Sequence, residues 1–341
     1  MAKNMKKATI YTIAKEAGLS VATISRYFNN TNLVKDSTRR RIQDISNKYE
    51  YEPSKIASAI TTKKTKTFAL ILPSFKEPPF MDLISGAEYE LSQRGYCLNV
   101  FNARQSLERE IEIVKIIDNR SIDGVIFSGV YGNKNDKIFI TEMLKKNIPC
   151  IMVDRIIPKL DIPSVSSNDY LGGKIAANYL IENKHKNIGI ITYNRSVYIF
   201  NQRVKGFLSK LNKMDLKISF IIDIPLEFKK IEDNILKRRA EIINSGVTAL
   251  FTTADSLSII LMRMLQEANL KIPEEMSVMG YDNIVYSNLV HPRLSTIHHD
   301  MYQMGRIVAD NLIYRVENGV YKEMNNVIDP TLVVRNSVRR L

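Results

Sequence analysis

Short apolar runs rich in β-branched residues alternate with longer amphipathic stretches over most of the chain, from Thr67 onward. In the longer stretches the apolar residues are spaced by three and four, which is the spacing of a helix with one buried face. Strands this apolar, each followed by a helix, are typical of parallel sheets covered on both faces. So many strands would make one sheet very wide, so the pattern predicts two smaller sheets. Strands are predicted at about 68–73, 98–101, 123–128, 149–153, 187–192, 247–252 and 277–281, and helices at about 80–94, 106–119, 136–147, 169–184, 200–214, 229–245 and 255–269.

The first 66 residues follow a different pattern, which changes at Pro53. Residues 8–52 are polar, and their apolar residues have helical spacing, which predicts a small all-α domain. Residues 53–66 begin with proline and end in the polar run TTKKTK, which is typical of a connecting segment. We therefore expect three regions: an all-α head at 8–52, a connecting segment at 53–66 and an α/β body at 67–337.

Residues 10–29 fit the pattern of a helix-turn-helix. Ala14 is small where two helices would cross closely, and Ile24 gives the second helix a buried aliphatic side chain. Gly18 lies at the expected turn, where a residue without a side chain adopts a positive φ at little cost. Ser20 is placed to cap the second helix, because its hydroxyl can accept a hydrogen bond from a free backbone N–H.

A third helix is predicted to close the small core of the head. We expect it to begin near Asp36 and Ser37, which can cap it, and to run to about Tyr49. Ile42, Ile45 and Tyr49 would then face the core.

The exposed face of the second predicted helix has the chemistry of a DNA-reading surface. Arg26 can pair bidentately with guanine, and Val21 and Ala22 offer apolar contact to a thymine methyl group. Residues 1–66 also hold 14 Lys and Arg against 5 Asp and Glu, a net charge of +9 out of +13 for the whole chain. A basic head on a nearly neutral body indicates a polyanionic partner, although charge alone leaves a solubilising tail as the alternative.

The remaining composition favours a cytoplasmic protein that is not an enzyme. No run approaches the roughly 18 apolar residues of a membrane span, and no apolar segment of a signal peptide follows the basic N-terminus. Cys97 and Cys150 lie in predicted strands, so we expect buried, reduced thiols. The sequence has no phosphate-binding loop and no H-E-x-x-H or C-x-x-C motif. His298 and His299 are adjacent in an expected strand and would point to opposite faces, so we expect neither a metal nor a cofactor.

Four motifs resemble those of the lactose-repressor (LacI/GalR) family. They are IYTIAKEAGLSVATISR at 10–26, YEPSKIA at 51–57, GYDN at 280–283 and PRLSTI at 292–297. They occur in the family's order, and the resemblance covers about residues 8–337. It implies a sequence-specific DNA-binding regulator with an N-terminal all-α helix-turn-helix head. The head residues that it places at the DNA are Tyr11, Ser20, Val21, Ala22, Thr23, Ser25, Arg26 and Asn29.

In the connecting segment, the resemblance implies a hinge helix at residues 54–60 that forms when a dimer meets its operator. Seven residues are too few for a stable isolated helix, so its formation would depend on DNA and on the partner hinge. Ser54, Ala57 and Ile60 are the hinge residues expected at the DNA. Ala57 and Ile56 would also pack the two hinges together, and Ile60 would wedge between base pairs in the minor groove. The family usually has leucine at that position. An ordinary interdomain linker is the alternative.

The body resembles the periplasmic sugar-binding fold, which is an α/β body of two doubly wound subdomains with a cleft between them. The N-subdomain is expected at about 67–166 and 296–326, and the C-subdomain at about 167–295 and 327–337. The chain would cross between them near Ser167, Ser295 and Asn326. Ligands in such sheets meet the carboxyl ends of the strands that face the cleft.

Four positions match the family's effector-binding residues: Phe80, Asp154, Arg203 and Asp282. Ser167 and Ala254 occupy two further cleft positions, both less polar here than in several relatives, which makes six expected effector residues. Carboxylates and arginine form charge-assisted hydrogen bonds with hydroxyl-rich ligands, and an aromatic ring stacks on the apolar face of a sugar. Each role has an alternative, since Asp154 and Asp282 can cap loops. Phe80 can belong to the core, and Arg203 can pair with a surface acid. Asp255 is expected to cap the helix at 255–269 outside the pocket.

These features predict a homodimeric repressor that binds a palindromic operator and is released by a small-molecule effector, a small sugar or sugar phosphate. A regulator of the same fold that needs a purine or a corepressor protein is the first alternative. A sugar receptor or sugar-converting enzyme with a vestigial head, and a non-specific DNA-packaging protein, are alternatives of other classes. No heptad pattern follows the last predicted strand, so we expect a dimer rather than a tetramer.

Overall fold

The structure, a computed structural model, describes residues 8–29, 33–51, 65–118, 122–129, 140–141, 147–154, 162–227 and 230–341. It divides into two compact units, Met1–Lys66 and Thr67–Leu341. Across the described ranges, no helix is both long enough and apolar enough to cross a membrane.

Three helices make up the described part of the first unit: α1 Ile10–Ala17, α2 Val21–Asn29 and α3 Asp36–Lys48. Gly18 ends α1 with φ 61°, so the positive φ predicted for the turn is confirmed. The buried core of the three helices consists of Ile13, Ala14, Ala17, Ile24, Tyr27 and Ile42. The helix-turn-helix prediction is therefore confirmed. Of the predicted core positions, Ala14, Ile24 and Ile42 are buried, and Ile45 and Tyr49 are partly buried against the core.

The predicted cap of α3 is wrong. The helix begins at Asp36 itself, and Lys35 before it forms no side-chain capping hydrogen bond. The carboxylate of Asp36 lies instead in the first turn, 3.5 Å from the guanidinium of Arg39. A negative charge at this end of a helix is favourable because it opposes the positive end of the helix dipole.

In the described residues, the second unit contains two six-stranded sheets. The strands of the first sheet are β1 Thr67–Leu72, β2 Cys97–Asn102, β3 Gly124–Ser128, β4 Cys150–Val153, β5 Ser164–Ser167 and β11 Asn325–Ile328. Their spatial order is β11-β5-β4-β3-β1-β2. The strands of the second sheet are β6 Ile188–Tyr193, β7 Phe220–Ile224, β8 Ala249–Thr252, β9 Ser277–Asp282, β10 Ser295–His298 and β12 Thr331–Val333. Their order is β12-β10-β9-β8-β6-β7, and only β10 and β12 pair antiparallel among the described pairings.

The helices of the second unit pack on these two sheets. They are α4 Pro79–Gln93, α5 Leu107–Asp118, α6 Asp169–Glu182, α7 Tyr198–Asn212, α8 Ile231–Lys237, α9 Arg239–Ile243, α10 Asp255–Glu267 and α11 Met301–Asn318. Each sheet has separate clusters of buried aliphatic side chains, two for the first sheet and two for the second. The prediction of two parallel-dominated sheets covered by helices is therefore confirmed.

Several details of the predicted elements are wrong. The helix predicted at 229–245 is two helices, α8 and α9, which are separated at Arg238. Strands β5, β7, β11 and β12 are missing from the predicted list, and β10 was expected only as a strand around His298 and His299. Cys97 was predicted to be buried but is exposed, since it begins the edge strand β2. The helix predicted at 136–147 lies mostly outside the described residues.

The chain passes between the two sheets three times. It leaves the first sheet after Ser167, and it leaves the second sheet after His298, where β10 ends. The last passage lies between Ile328 and Thr331, which connects β11 of the first sheet to β12 of the second. The second and third passages come a few residues later than the positions expected at Ser295 and Asn326, because β10 and β11 each continue to the end of the strand.

Two pairs of helices cross at glycines, one pair in each half of the body. In the pair α6 and α7, a Cβ atom on Gly206 would lie 1.9 Å from the backbone oxygen of Tyr170. In the pair α4 and α11, a Cβ atom on Gly86 would lie 2.0 Å from the backbone oxygen of Tyr302. Backbone oxygens cannot turn away as flexible side chains can, so each crossing requires a residue without a side chain.

We expect Gly206→Ala to lower the free energy of unfolding by about 1–3 kcal/mol, because the added methyl group must push α6 and α7 apart. Urea denaturation of the full chain measures this change. The matched control is Lys205→Ala, at an exposed position one residue earlier in α7. Equal denaturation midpoints for the two variants would contradict the packing argument.

Candidate functional sites

The predicted DNA-binding face of the head is solvent-accessible in the structure. Tyr11 on α1 is 71% exposed, and Ala22 and Arg26 on α2 are exposed. Val21, Thr23 and Ser25 are partly exposed, whereas Ile24 and Tyr27 on the opposite side of α2 are buried. The side chain of Asn29 lies outside the described residues, as do the hinge residues Ser54, Ala57 and Ile60.

Ser20 caps α2 as predicted. Its Oγ accepts a hydrogen bond from the backbone N–H of Thr23 at 3.2 Å and lies 2.9 Å from the Thr23 hydroxyl. The first turn of α2 is thereby fixed, and with it the direction in which Ala22 and Arg26 project.

A cleft in the body brings together five of the six predicted effector residues. Phe80 and Asp154 come from elements of the first sheet, and Arg203, Ala254 and Asp282 from elements of the second. Asp154, Ala254 and Asp282 lie at the carboxyl ends of parallel strands, where such sheets bind ligands. Phe80 begins α4, and Arg203 lies in the second turn of α7. Ser167 lines an adjoining pocket that shares Asp154 with this cleft.

Arg203 is the most heavily bonded side chain in the cleft, and it is only 1% exposed. Its Nε donates to the Oδ1 of Asp169 at 2.7 Å. Its Nη1 donates to the backbone oxygen of Thr253 at 2.7 Å and to the Oδ1 of Asp282 at 2.9 Å. The guanidinium also lies 3.8 Å from the centre of the Tyr281 ring. The predicted alternative of a surface ion pair is therefore wrong, since both acid partners of Arg203 are buried or nearly so.

Electrostatics keep this arginine charged. Burial alone would lower the pKa of Arg203, but the carboxylates of Asp169 and Asp282 raise it above its ordinary value. A buried cation is stable only with partners of this kind, because removing the charge from water costs several kcal/mol.

Asp154 and His299 form a second buried ion pair beside Arg203. Asp154 follows β4 with φ 50°, and its Oδ1 accepts from the backbone N–H of Ser167 at 3.0 Å. Its Oδ2 lies 3.0 Å from the Nε2 of His299. Burial would lower the pKa of His299, but Asp154 and Asp282 outweigh that effect and raise the pKa to about 10. His299 is therefore a cation at neutral pH.

The predictions missed His299, Asp169 and Glu77 as residues of this region. His299 was considered only as half of a poor metal site with His298, whereas it lies just beyond β10 at a passage between the sheets. Asp169 begins α6 and resembles an ordinary first-turn acid. The sequence gives no signal that singles out His299, because a histidine near the end of a short strand is common.

Asp255 does not cap α10, contrary to the prediction. The residue before the helix is Ala254, which forms no side-chain cap. The Asp255 carboxylate accepts from the backbone N–H of Ile284 at 3.1 Å and from the hydroxyls of Ser287 at 2.5 Å and Thr296 at 2.6 Å. Asp255 thus ties the segment after β9 to β10 behind the cleft.

We expect His299→Gln to lower the free energy of unfolding at pH 7 by about 3–5 kcal/mol, because Asp154 is then buried without a counter-charge. Since the folded state raises the pKa of His299, its contribution is complete below about pH 6.5 and is lost as the pH rises to about 10. Denaturation of the wild type and the variant between pH 6.5 and 10 should show their difference shrinking.

The control for this prediction is His298→Gln, at a half-exposed neighbouring histidine. Adding Asp154→Asn to His299→Gln should recover part of the lost stability. A difference that stays constant with pH would contradict the assignment of a charged His299.

Comparison with known proteins supports both parts of this description. The family model "Bacterial regulatory proteins, lacI family" matches residues 9–54, and "Periplasmic binding protein-like domain" matches residues 177–338. The ribose operon repressor of Haemophilus influenzae is 27% identical, over 98% of this chain and 99% of its own length.

Two solved structures extend the comparison. The lac repressor dimer bound to operator and an anti-inducer has a TM-score of 0.86 with 20% identity, and it covers 98% of this chain and 100% of its own. A LacI family transcriptional regulator from Enterococcus faecalis V583 with bound ribose has a TM-score of 0.71 with 29% identity, over 81% of this chain and 99% of its own. The order of the two matched models and the shared fold agree with the motifs at both ends of the chain. The chain therefore joins a lacI-family regulatory domain at its N-terminus to a periplasmic binding protein-like domain.

Proposed function

We propose that this chain is a cytoplasmic, homodimeric transcriptional repressor that binds a palindromic operator and is released by a small sugar. The observation that carries the ligand-regulated part is the cleft, where acids and aromatic rings from elements of both sheets converge. The DNA-binding part rests on the basic head and the exposed α2 face. The related lac repressor, a dimer on its operator, supports the dimeric state.

The walls of the cleft have the two kinds of group that bind sugars. Phe80, Tyr193 and Phe200 present aromatic rings, and Asp154 and Asp282 present carboxylates. Aromatic rings pack against the C–H face of a sugar ring, while carboxylates accept hydrogen bonds from its hydroxyls. The regulator from Enterococcus faecalis, whose structure contains ribose, supports a ligand of this class.

The charges of the cleft favour a sugar without a phosphate group. Arg203 and His299 are the cations that line it among the described residues, and both are already paired with carboxylates. A phosphate would have to displace these buried partners, which leaves them without a counter-charge. We therefore propose an effector that is not phosphorylated.

Release from the operator would follow from a change in the angle between the two halves of the body. The ligand touches both halves, so it stabilises the arrangement in which both sets of contacts form. The change in operator affinity that the ligand can cause is limited by the difference in its affinity for the two arrangements.

We expect one member of a panel of unmodified sugars to weaken specific operator binding by the wild type at fixed salt. Asp282→Asn should keep operator binding but lose most of the response, because the carboxylate that faces the ligand is gone. Fluorescence anisotropy with a duplex operator, with and without each sugar, measures both. Asp215→Asn, at an exposed turn far from the lining residues, is the control and should respond as the wild type does.

Two outcomes would change the proposal. Tighter operator binding in the presence of a purine would replace release with corepression. An operator affinity that is indifferent to every sugar that binds the body would refute regulation by this cleft.

We expect Arg26→Ala to reduce discrimination between the operator and a duplex with one altered guanine by about 1–3 kcal/mol, since a bidentate contact is lost. Binding to unrelated DNA should change much less. The matched control is Lys15→Ala on exposed α1, which should weaken binding to all sequences alike, if it has any effect. Equal losses on operator and unrelated DNA for Arg26→Ala would contradict a base-reading role.

A further inference from the structure

Glu77 differs from the other acids that line the cleft because it has no partner there. It lies between β1 and α4 on the side of the first sheet. Its Oε1 atom is buried and makes no hydrogen bond with any described residue. Asp154 is paired with His299, and Asp282 with Arg203. The cleft therefore contains one buried acceptor whose partner is not another described side chain.

The groups around Glu77 do not supply a positive charge to it. Burial first, and then the negative charge of Asp282, raise the pKa of Glu77 to about 7. Tyr193, the other titratable group that interacts with Glu77, is neutral. Its hydroxyl forms a hydrogen bond of 3.0 Å with the hydroxyl of Ser256. Arg203 and His299 in the same cleft are held by Asp169, Asp154 and Asp282.

We propose that Glu77 determines the specificity of the cleft by pairing with a positively charged amine of the effector, which makes an amino sugar the class of ligand. The inference rests on the proposed function and names the substrate class of the same cleft. Glu77 comes from the first sheet and Asp282 from the second, and the negative charge of Asp282 raises the pKa of Glu77, so an ammonium group in the cleft would be attracted by both halves of the body.

An ammonium group satisfies the observed surroundings better than a hydroxyl does. It has three donors, enough for Glu77 and Asp282 together, and it neutralises part of the negative charge that they share. A hydroxyl can donate to Oε1 but leaves that charge unchanged. The rings of Phe80, Tyr193 and Phe200 line the same cleft, and aromatic faces attract a desolvated cation.

The test compares sugars that differ only in one amine. Calorimetric titration of the full-length protein uses D-glucosamine against D-glucose, D-galactosamine against D-galactose and D-mannosamine against D-mannose. The titration is done at pH 7, where the amines are mostly cations and a bound ammonium group favours the ionised form of Glu77. In at least one pair the amine should bind about tenfold to a hundredfold more tightly, the ratio expected for one charge-assisted hydrogen bond.

Glu77→Gln should abolish that preference while the neutral sugar of the pair keeps its affinity. Glu88→Gln, at an exposed position on α4, is the matched control and should keep the preference. The melting temperature of Glu77→Gln without ligand should equal or exceed that of the wild type, because the substitution removes a buried charge without a partner. A folded variant that has lost amine selectivity is the result that supports the inference.

The proposal is overturned if no amino sugar binds, if each neutral sugar binds as tightly as its amine, or if Glu77→Gln keeps the preference. If a neutral sugar binds the cleft and causes the protein to leave the operator, the proposed function stands and the role of Glu77 does not. An amine-selective cleft whose occupation leaves operator affinity unchanged would refute the proposed function and leave the role of Glu77 standing.

Discussion

The buried guanidinium of Arg203 is the interaction on which the cleft depends. A cation at 1% exposure is stable only because Asp169, Asp282 and the Thr253 carbonyl accept its hydrogen bonds. Those partners come from α6, from the end of β9 and from the segment after β8, so one side chain joins three elements of the second sheet. Removing one acid would leave the buried guanidinium with a single carboxylate partner, so the partners hold each other in place. This side of the cleft is therefore prearranged.

The Asp154–His299 pair continues this network to the first sheet. Asp154 follows β4 of the first sheet, whereas His299 follows β10 of the second, and the Asp154 carboxylate also binds the N–H of Ser167. Two of the three passages between the sheets, those after Ser167 and His298, thus meet at one carboxylate. Any change in the angle between the halves acts on this ion pair. Its buried charges favour a small number of well-paired arrangements over a continuous range.

The sequence patterns predicted the two sheets and the helix-turn-helix because both depend on local spacing. Gly18, Ala14 and Ile24 lie within a few residues of the contacts that they serve, and the long strands have continuous apolar runs. The family resemblance placed Asp154, Arg203 and Asp282 in the cleft, but their pairing with Asp169 and His299 escaped prediction because the partners are far apart in the chain. The cap assigned to Asp255 shows the same limit. An acid at a helix start fits a local rule, yet its carboxylate binds Ser287 and Thr296 instead.

The glycines at the helix crossings explain why a change in the angle between the two halves should occur near the Asp154–His299 ion pair. Gly173 and Gly206 let α6 and α7 pack backbone to backbone, and Gly86 and Gly305 do the same for α4 and α11. Contacts this close resist sliding, since interiors at such density have discrete rather than graded arrangements. We therefore expect each half to move as one body, with the change in angle taken up at the three passages between the sheets. A ligand charge between Glu77 and Asp282 would lie between the two halves of the body, as the Asp154–His299 pair does. Both would therefore act on the angle between the halves.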